Sequence, residues 1–214
     1  MERIAVVDDR NDHRETIRRN LSTCLPDGWE CIDSRPLMDP GAYLPWLAME
    51  AVRVLIIDER LHEDSGGGGT NVQYAGHELV TFLRGHLPSL PIVVVTTYPE
   101  DPDLLEAFGA VDEIIDRDEF NAEIEQYSVR LVRHGTRFSE ERDRHLAELG
   151  ELSARIAGGL GSAEDRSRAH ELQTSLAIAV SPLEPSSRDL VLDKIESSLG
   201  RLERALADSP RVRK

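Results

Sequence analysis

Arg3-Ile4-Ala5-Val6-Val7-Asp8-Asp9 is an unbroken apolar run closed by two carboxylates, and Val52-Arg53-Val54-Leu55-Ile56-Ile57-Asp58 repeats the pattern further along. Continuous apolar runs of this length, bounded by charge, read as strands buried on both faces of a parallel sheet. In open α/β folds the carboxyl ends of such strands face the ligand crevice. Asp8, Asp9 and Asp58 are therefore expected to share one acidic pocket, suited to a hard cation such as magnesium.

Working outward, strand and helix signals alternate up to about residue 120, which implies βαβ crossovers. Five units are expected. Strands fall at Arg3–Val7, Trp29–Ile32, Val52–Ile57, Pro91–Thr97 and Glu113–Ile115. Helices are expected at about Asp12–Leu25, Pro40–Met49, Gly76–Leu87 and Pro99–Phe108, with a long fifth helix from Glu119 onward. Between the third strand and third helix, Gly66-Gly67-Gly68-Gly69 is a flexible loop. No Lys-Ser/Thr follows it, so it is not a phosphate-cradling loop of the nucleotide-binding type.

Past about residue 135 the β signals stop, and helices remain, broken at Gly158-Gly-Leu-Gly161 and Ser181-Pro-Leu-Glu-Pro185. Leu192, Ile195, Leu199, Leu202 and Leu206 alternate spacings of 3 and 4, an a/d heptad seam. Leu146, Leu149, Ile156 and Leu160 make a similar stripe. Such helices need partners, in a coiled-coil hairpin within the chain or in a dimeric bundle. The division is thus residues 1–125, an α/β domain with a doubly wound five-stranded parallel sheet, and 126–214, an all-α hairpin or bundle.

The 214 residues carry a net charge of −15, concentrated before residue 120, where 10 arginines face 24 acids. That balance repels phosphate backbones, so nucleic-acid binding is disfavoured, and a basic protein surface or a divalent cation is favoured. No apolar run is long enough to span a bilayer, and the first lacks a basic leader and a cleavage site, so a cytoplasmic protein is expected. Cys24 and Cys31 are too few for a disulfide framework or a zinc site and read as buried or half-buried thiols. The chain's lysines are Lys194 and Lys214, so residues 1–120 have none.

Over roughly residues 1–125 these motifs resemble the receiver domain of two-component response regulators, which has a flavodoxin-like fold. The resemblance is carried by Asp8-Asp9, by Asp58, by Pro91-Ile-Val-Val-Val-Thr96-Thr97, and by Gly109-Ala110 before the fifth strand. It implies that Asp58 accepts a phosphoryl group from a histidine of a sensor kinase or other signalling protein. It also implies that Asp8, Asp9, Asp58 and the backbone carbonyl of Arg60 hold Mg2+, and that Thr96 hydrogen-bonds the phosphoryl group. Such transfer depends on positioning and on neutralising the equatorial oxygens, hence the need for a cation and converging donors. Haloacid-dehalogenase-type phosphatases and toprim domains, which need Asp-x-Asp patterns, fit less well.

The departures are specific. Asp116 stands where receivers place a lysine at the end of the fifth strand, and Arg117 is the nearest cation and the candidate substitute. The usual following proline is missing, Glu113 occupies the aromatic switch position, and the Gly-rich loop is inserted beside the site. A carboxylate at 116 is expected to repel a phosphorylated Asp58 unless Arg117 turns inward. The alternative is a pseudo-receiver scaffold that works without phosphorylation.

Ala169-His-Glu-Leu-Gln-Thr-Ser-Leu-Ala-Ile178 is similar over about ten residues to the phosphoacceptor helix of histidine kinases and phosphotransfer domains. That resemblance makes His170 a candidate phosphoacceptor with Glu171 as proton partner, and the protein a histidine phosphotransferase. The leading expectation is a signalling switch rather than an enzyme: a receiver-like domain whose phosphorylation controls homodimerisation or partner docking through the C-terminal helices.

Overall fold

Val, Ile and Leu fill the central strands of the computed structural model because both faces of the sheet are covered. The structure describes residues 1–62 and 72–178. The strands are β1 (Glu2–Val7), β2 (Trp29–Ser34), β3 (Val52–Ile57), β4 (Ile92–Thr96) and β5 (Glu113–Asp116), joined by parallel pairing in the order β2-β1-β3-β4-β5. This is the flavodoxin-like order, in which the strand sequence reverses between β1 and β3. The expected doubly wound sheet is present.

Seven helices accompany it among the described residues: α1 (Asn11–Cys24), α2 (Tyr43–Met49), α3 (Gly76–His86), α4 (Pro102–Glu106), α5 (Arg117–Ala122), α6 (Ile124–Ala157) and α7 (Ala163–Ile178). Turn chemistry sets several boundaries. Asp39 accepts from Gly41 N–H at 3.0 Å ahead of a 3-10 turn at Pro40–Ala42. Asp101 caps α4, with Pro102 at its first position, where the missing N–H costs nothing.

Strand periodicity divides the core in two. Ala5, Val7, Leu55, Ile57, Ile92 and Val94 face one side, against Tyr43, Leu79, Leu83 and Leu104. Ile4, Val6, Val54, Ile56, Val93 and Val95 face the other, against Ile17, Leu21, Phe120, Tyr127 and Leu131. Cys31 is buried and Cys24 half-buried, both as free thiols.

Two helical expectations change. The fourth helix is shorter, ending at Glu106 before a 3-10 turn at Phe108–Ala110. The long fifth helix is two elements, because Glu123 leaves helical geometry (φ −114°, ψ 30°) and separates the short α5 from α6. Residue 125 therefore falls in the first turn of α6, whose Tyr127, Leu131 and Gly135 are buried.

Beyond the sheet, α6 and α7 pair as a hairpin around Leu152, Ala169 and Leu172, flanked by Leu149 and Ile156. Of the expected stripe, Leu146 and Leu160 are instead exposed, at 48% and 82%. Gly158, Gly159 and Gly161 lie in the turn between the helices, Gly159 with φ +75°, a left-handed geometry that glycine adopts without strain. The Gly66–Gly69 loop, the break at 181–185 and the heptad seam at 192–206 lie outside the described residues. No described helix is long and apolar enough to cross a membrane.

Candidate functional site

Because Val7 pairs with Ile57, the next residues, Asp8 and Asp58, emerge side by side at the carboxyl edge of the sheet. The ladder continues to that point, with Asp58 N–H donating to Val7 O at 2.9 Å. A period of two puts both side chains on the face of Ile4, Val6, Val54 and Ile56, which α1, α5 and α6 cover. Asp8 is 1% and Asp58 7% exposed. One oxygen from each of Asp8, Asp9 and Asp58 lies within 4.8 Å of the others.

The loop carrying the acidic pair is held from α1. Arg14, buried, donates from Nη1 to the carbonyls of Asp8 (2.6 Å) and Asp9 (3.0 Å), and from Nη2 to Asn11 Oδ1 (2.9 Å). Arg10 N–H donates to Asp8 Oδ1 at 2.8 Å. Sequence reading passed over Arg14. Its position on the apolar stripe with Ile17 and Leu21 was the available sign, since an arginine there must be paired.

After Asp58 the chain is pinned to α3. Glu59 is buried; its carboxylate accepts from His77 N–H at 3.0 Å and lies 2.5 Å from His77 Nδ1. Burial raises the Glu59 pKa, and the His77 contacts partly oppose that. Gly76 N–H donates to Glu59 O at 2.7 Å. A Cβ on Gly76 would stand 2.4 Å from Asp58 O and 2.8 Å from Glu59 Cα, so only glycine allows this approach. The guanidinium of Arg60 stacks on Tyr98, 3.7 Å from the ring centroid.

Thr96 closes β4, fully buried and paired in register with Asp116, and its hydroxyl accepts from Tyr98 N–H at 3.3 Å. Asp116 is not turned against Asp58 as expected from its position. Its Oδ1 accepts from the N–H groups of Asp118 (2.9 Å) and Glu119 (3.2 Å), so the carboxylate caps α5. An aspartate followed by an acidic first turn is an N-cap pattern, and read that way the sequence already assigns the carboxylate elsewhere.

Arg117, the first residue of α5, turns inward with its side chain 8% exposed. Its Nη2 is 3.1 Å from Asp8 Oδ2 and 2.8 Å from Asp58 Oδ1. The contact with Asp58 is an ion pair without hydrogen-bond alignment, which leaves that buried oxygen without an aligned donor. Arg117 Nη1 meets the imidazole of His13, whose Nδ1 is also 3.5 Å from Asp8 Oδ2. Nothing in the sequence marks His13 for this place, since it has no motif spacing to the acidic trio.

Burial, and then the charge of Asp58, push the Asp8 pKa up to about 7, while Arg117 pulls the other way. Burial and Arg117 lower the pKa of His13, favouring the neutral ring. With one guanidinium among three clustered carboxylates, the pocket is short of positive charge. Hard oxygen donors at this spacing, one of them buried without an aligned donor, fit a divalent cation such as Mg2+. His170 lies elsewhere, exposed on α7, where its carbonyl accepts from Thr174 Oγ1 at 2.8 Å.

No family model matches the chain, and no curated protein matches it. Several similar solved structures are response regulators or their receiver domains. They include response regulator TrrA of Thermotoga maritima, in complex with Mg2+-BeF (21% identity, 61% of this chain, 97% of that one, TM-score 0.43). A second is the receiver domain of NtrX from Brucella abortus (21%, 64% and 98%, TM-score 0.44). A third is the receiver domain of Francisella response regulator 1452 (15%, 63% and 97%, TM-score 0.45).

Proposed function

We propose that this protein is a receiver-type signalling switch in which Asp58 is the phosphoacceptor and Arg117 takes over the charge-pairing duty of the missing lysine. The observation that carries this reading is the meeting of Asp8, Asp9 and Asp58 within 4.8 Å at the β1/β3 switch point, with Arg117 Nη2 2.8 Å from Asp58 Oδ1. A carboxylate oxygen of Asp58 attacks the phosphorus of a phosphohistidine. The new P–O bond forms as the P–N bond breaks, and the departing imidazole takes up a proton.

Asp8, Asp9 and Asp58, with the backbone carbonyl of Arg60, would hold Mg2+, which when bound neutralises charge on the transferring group. Thr96 would donate its hydroxyl to a phosphoryl oxygen, since its contact with Tyr98 N–H uses the oxygen as acceptor and leaves the O–H free. Arg117 would keep Asp8 and the modified Asp58 in one charge network, a fork being suited to several oxygens at once. The partner is a histidine kinase or another phosphohistidine protein in the cytoplasm, and the output runs through the C-terminal helices, by homodimerisation or docking. The protein performs no turnover beyond its own modification.

A second reading, a scaffold independent of phosphorylation, is favoured by the same ion pair, because Arg117 gives the Asp58 carboxylate itself a charge partner. The discriminating experiment treats purified protein with Mg2+ and acetyl phosphate, followed by intact mass. The switch reading expects one added phosphoryl group, lost in Asp58→Asn and unaffected in His170→Gln. No mass gain in folded protein establishes the scaffold, and a gain lost only in His170→Gln establishes a histidine phosphotransferase.

A further inference from the structure

We infer that His13 is a positioning residue for Arg117, so that the duty of one lysine is divided between two residues 104 positions apart. This rests on the reading of Asp58 as phosphoacceptor only where phosphoryl chemistry is the readout.

A lysine offers a compact point charge that works in any rotation, whereas a guanidinium is a flat fork that serves an acidic pocket only in one orientation. Arg117 needs something to select it. Its Nη2 faces Asp8 and Asp58, its Nε is buried with no partner, and its Nη1 meets Nδ1 of His13, with Nε2 of the same ring at 3.2 Å. Arginine carries donors only, so a ring nitrogen meeting it must accept. A neutral imidazole that occupies Nη1 leaves Nη2 directed at the carboxylates. A carboxylate there would compete for the charge, and an apolar group would leave Nη1 unsatisfied.

His13 is held to this task by α1. It sits in the first turn, beside Arg14, whose guanidinium fixes the Asp8-Asp9 backbone. The helix that secures the acidic pair thus also presents the acceptor that aims the arginine.

The test uses the full chain and two readouts. The first is the Arg117 Nε–H resonance in proton–nitrogen NMR, assigned by its loss in Arg117→Lys. It is expected to be sharp in the natural protein and in His13→Gln, whose carbonyl oxygen can accept, and broadened in His13→Phe and His13→Ala. The second is uptake of beryllofluoride with Mg2+, followed by fluorine NMR with Asp58→Asn as blank. His13→Phe and His13→Ala are expected to weaken uptake about tenfold, and His13→Gln less than about threefold. In an Arg117→Met background the His13 substitutions are expected to add nothing further.

An Arg117 resonance unchanged in every His13 variant overturns the proposal, as does a loss of uptake of equal size in both backgrounds. If the natural protein takes up no beryllofluoride, the phosphoacceptor reading falls and the NMR arm alone decides the role of His13. His13→Ala adds no bulk, so it supplies the answer if His13→Phe does not fold.

Discussion

Asp8 is the residue where the cost of the pocket is concentrated. Its carboxylate is buried beside that of Asp58, and its pKa is raised to about 7, chiefly by desolvation. Between about pH 4, where an unfolded aspartate titrates, and pH 7, the folded protein binds a proton that the unfolded chain has released. Stability due to Asp8 therefore falls as pH rises through that window. Asp8→Asn removes the buried charge and keeps an oxygen for Arg10 N–H. Without divalent cation it is expected to stabilise the protein by roughly 1–3 kcal/mol at pH 8, with the gain vanishing toward pH 4. Thermal melts of both proteins across this range, in chelator, check it; a gain that grows on acidification reverses the assignment. Mg2+ should cancel the advantage in the natural protein alone, since a cation favours the ionised form. The acidic trio was legible because its members follow apolar runs directly. Of the groups that tune it, Arg117 was legible as the cation nearest the missing lysine, and Arg14 and His13 were not, because they meet the trio from α1 and only packing turns them toward it.

At the scale of elements, the end of β3, Asp58-Glu59 and the start of α3 act as one joint. Asp58 and Glu59 follow the strand, Gly76 N–H donates to Glu59 O, and the Glu59 carboxylate accepts from His77 N–H. Gly76→Ala would place a methyl group against Asp58 O and Glu59 Cα, backbone atoms that cannot rotate away. A loss of at least about 2 kcal/mol is expected, measured by urea unfolding, together with reduced Asp58 modification under conditions where the variant remains folded. Full stability in Gly76→Ala would mean that the joint is looser than drawn. The strands were legible because each is a buried aliphatic run with charge or turn residues at its ends. The break between α5 and α6 was not, because Glu119-Phe-Asn-Ala-Glu-Ile-Glu contains neither Gly nor Pro to mark it. Tertiary contacts span it instead. Phe120 and Tyr127 pack with centroids 5.2 Å apart, and Tyr127 donates its hydroxyl to Glu119 at 2.7 Å, fastening the two helices across the break. A short α5 that begins at Arg117 and is fastened to α6 supplies a path from the pocket to the long helix.

On the scale of the whole molecule, α6 is the element that belongs to both parts. Its 34 residues, about 50 Å at 1.5 Å each, begin against the sheet and end in the hairpin with α7. Its seat on the sheet is set at Gly135, where a Cβ would stand 2.4 Å from Trp29 Cη2 and 3.0 Å from Val54 Cγ2. Gly135→Ala gains helix propensity yet forces Trp29 or the helix to move. A net loss of about 1–2 kcal/mol and an altered tryptophan emission are expected, and a more stable variant with unchanged emission would refute the close seat. The hairpin end is held differently. Its buried core is small, with Leu152, Ala169 and Leu172 at the centre. Leu172→Asp buries a charge in that core and is expected to unpair α7 while leaving the sheet folded. In limited proteolysis the variant should be cut first within 158–178, leaving a resistant fragment that begins at Met1 and retains acetyl phosphate labelling at Asp58. If the substitution instead lowers the whole unfolding transition by several kcal/mol, the hairpin and the α/β domain form one cooperative unit. Any signal from Asp58 would then reach α7 through packing rather than through α6 alone.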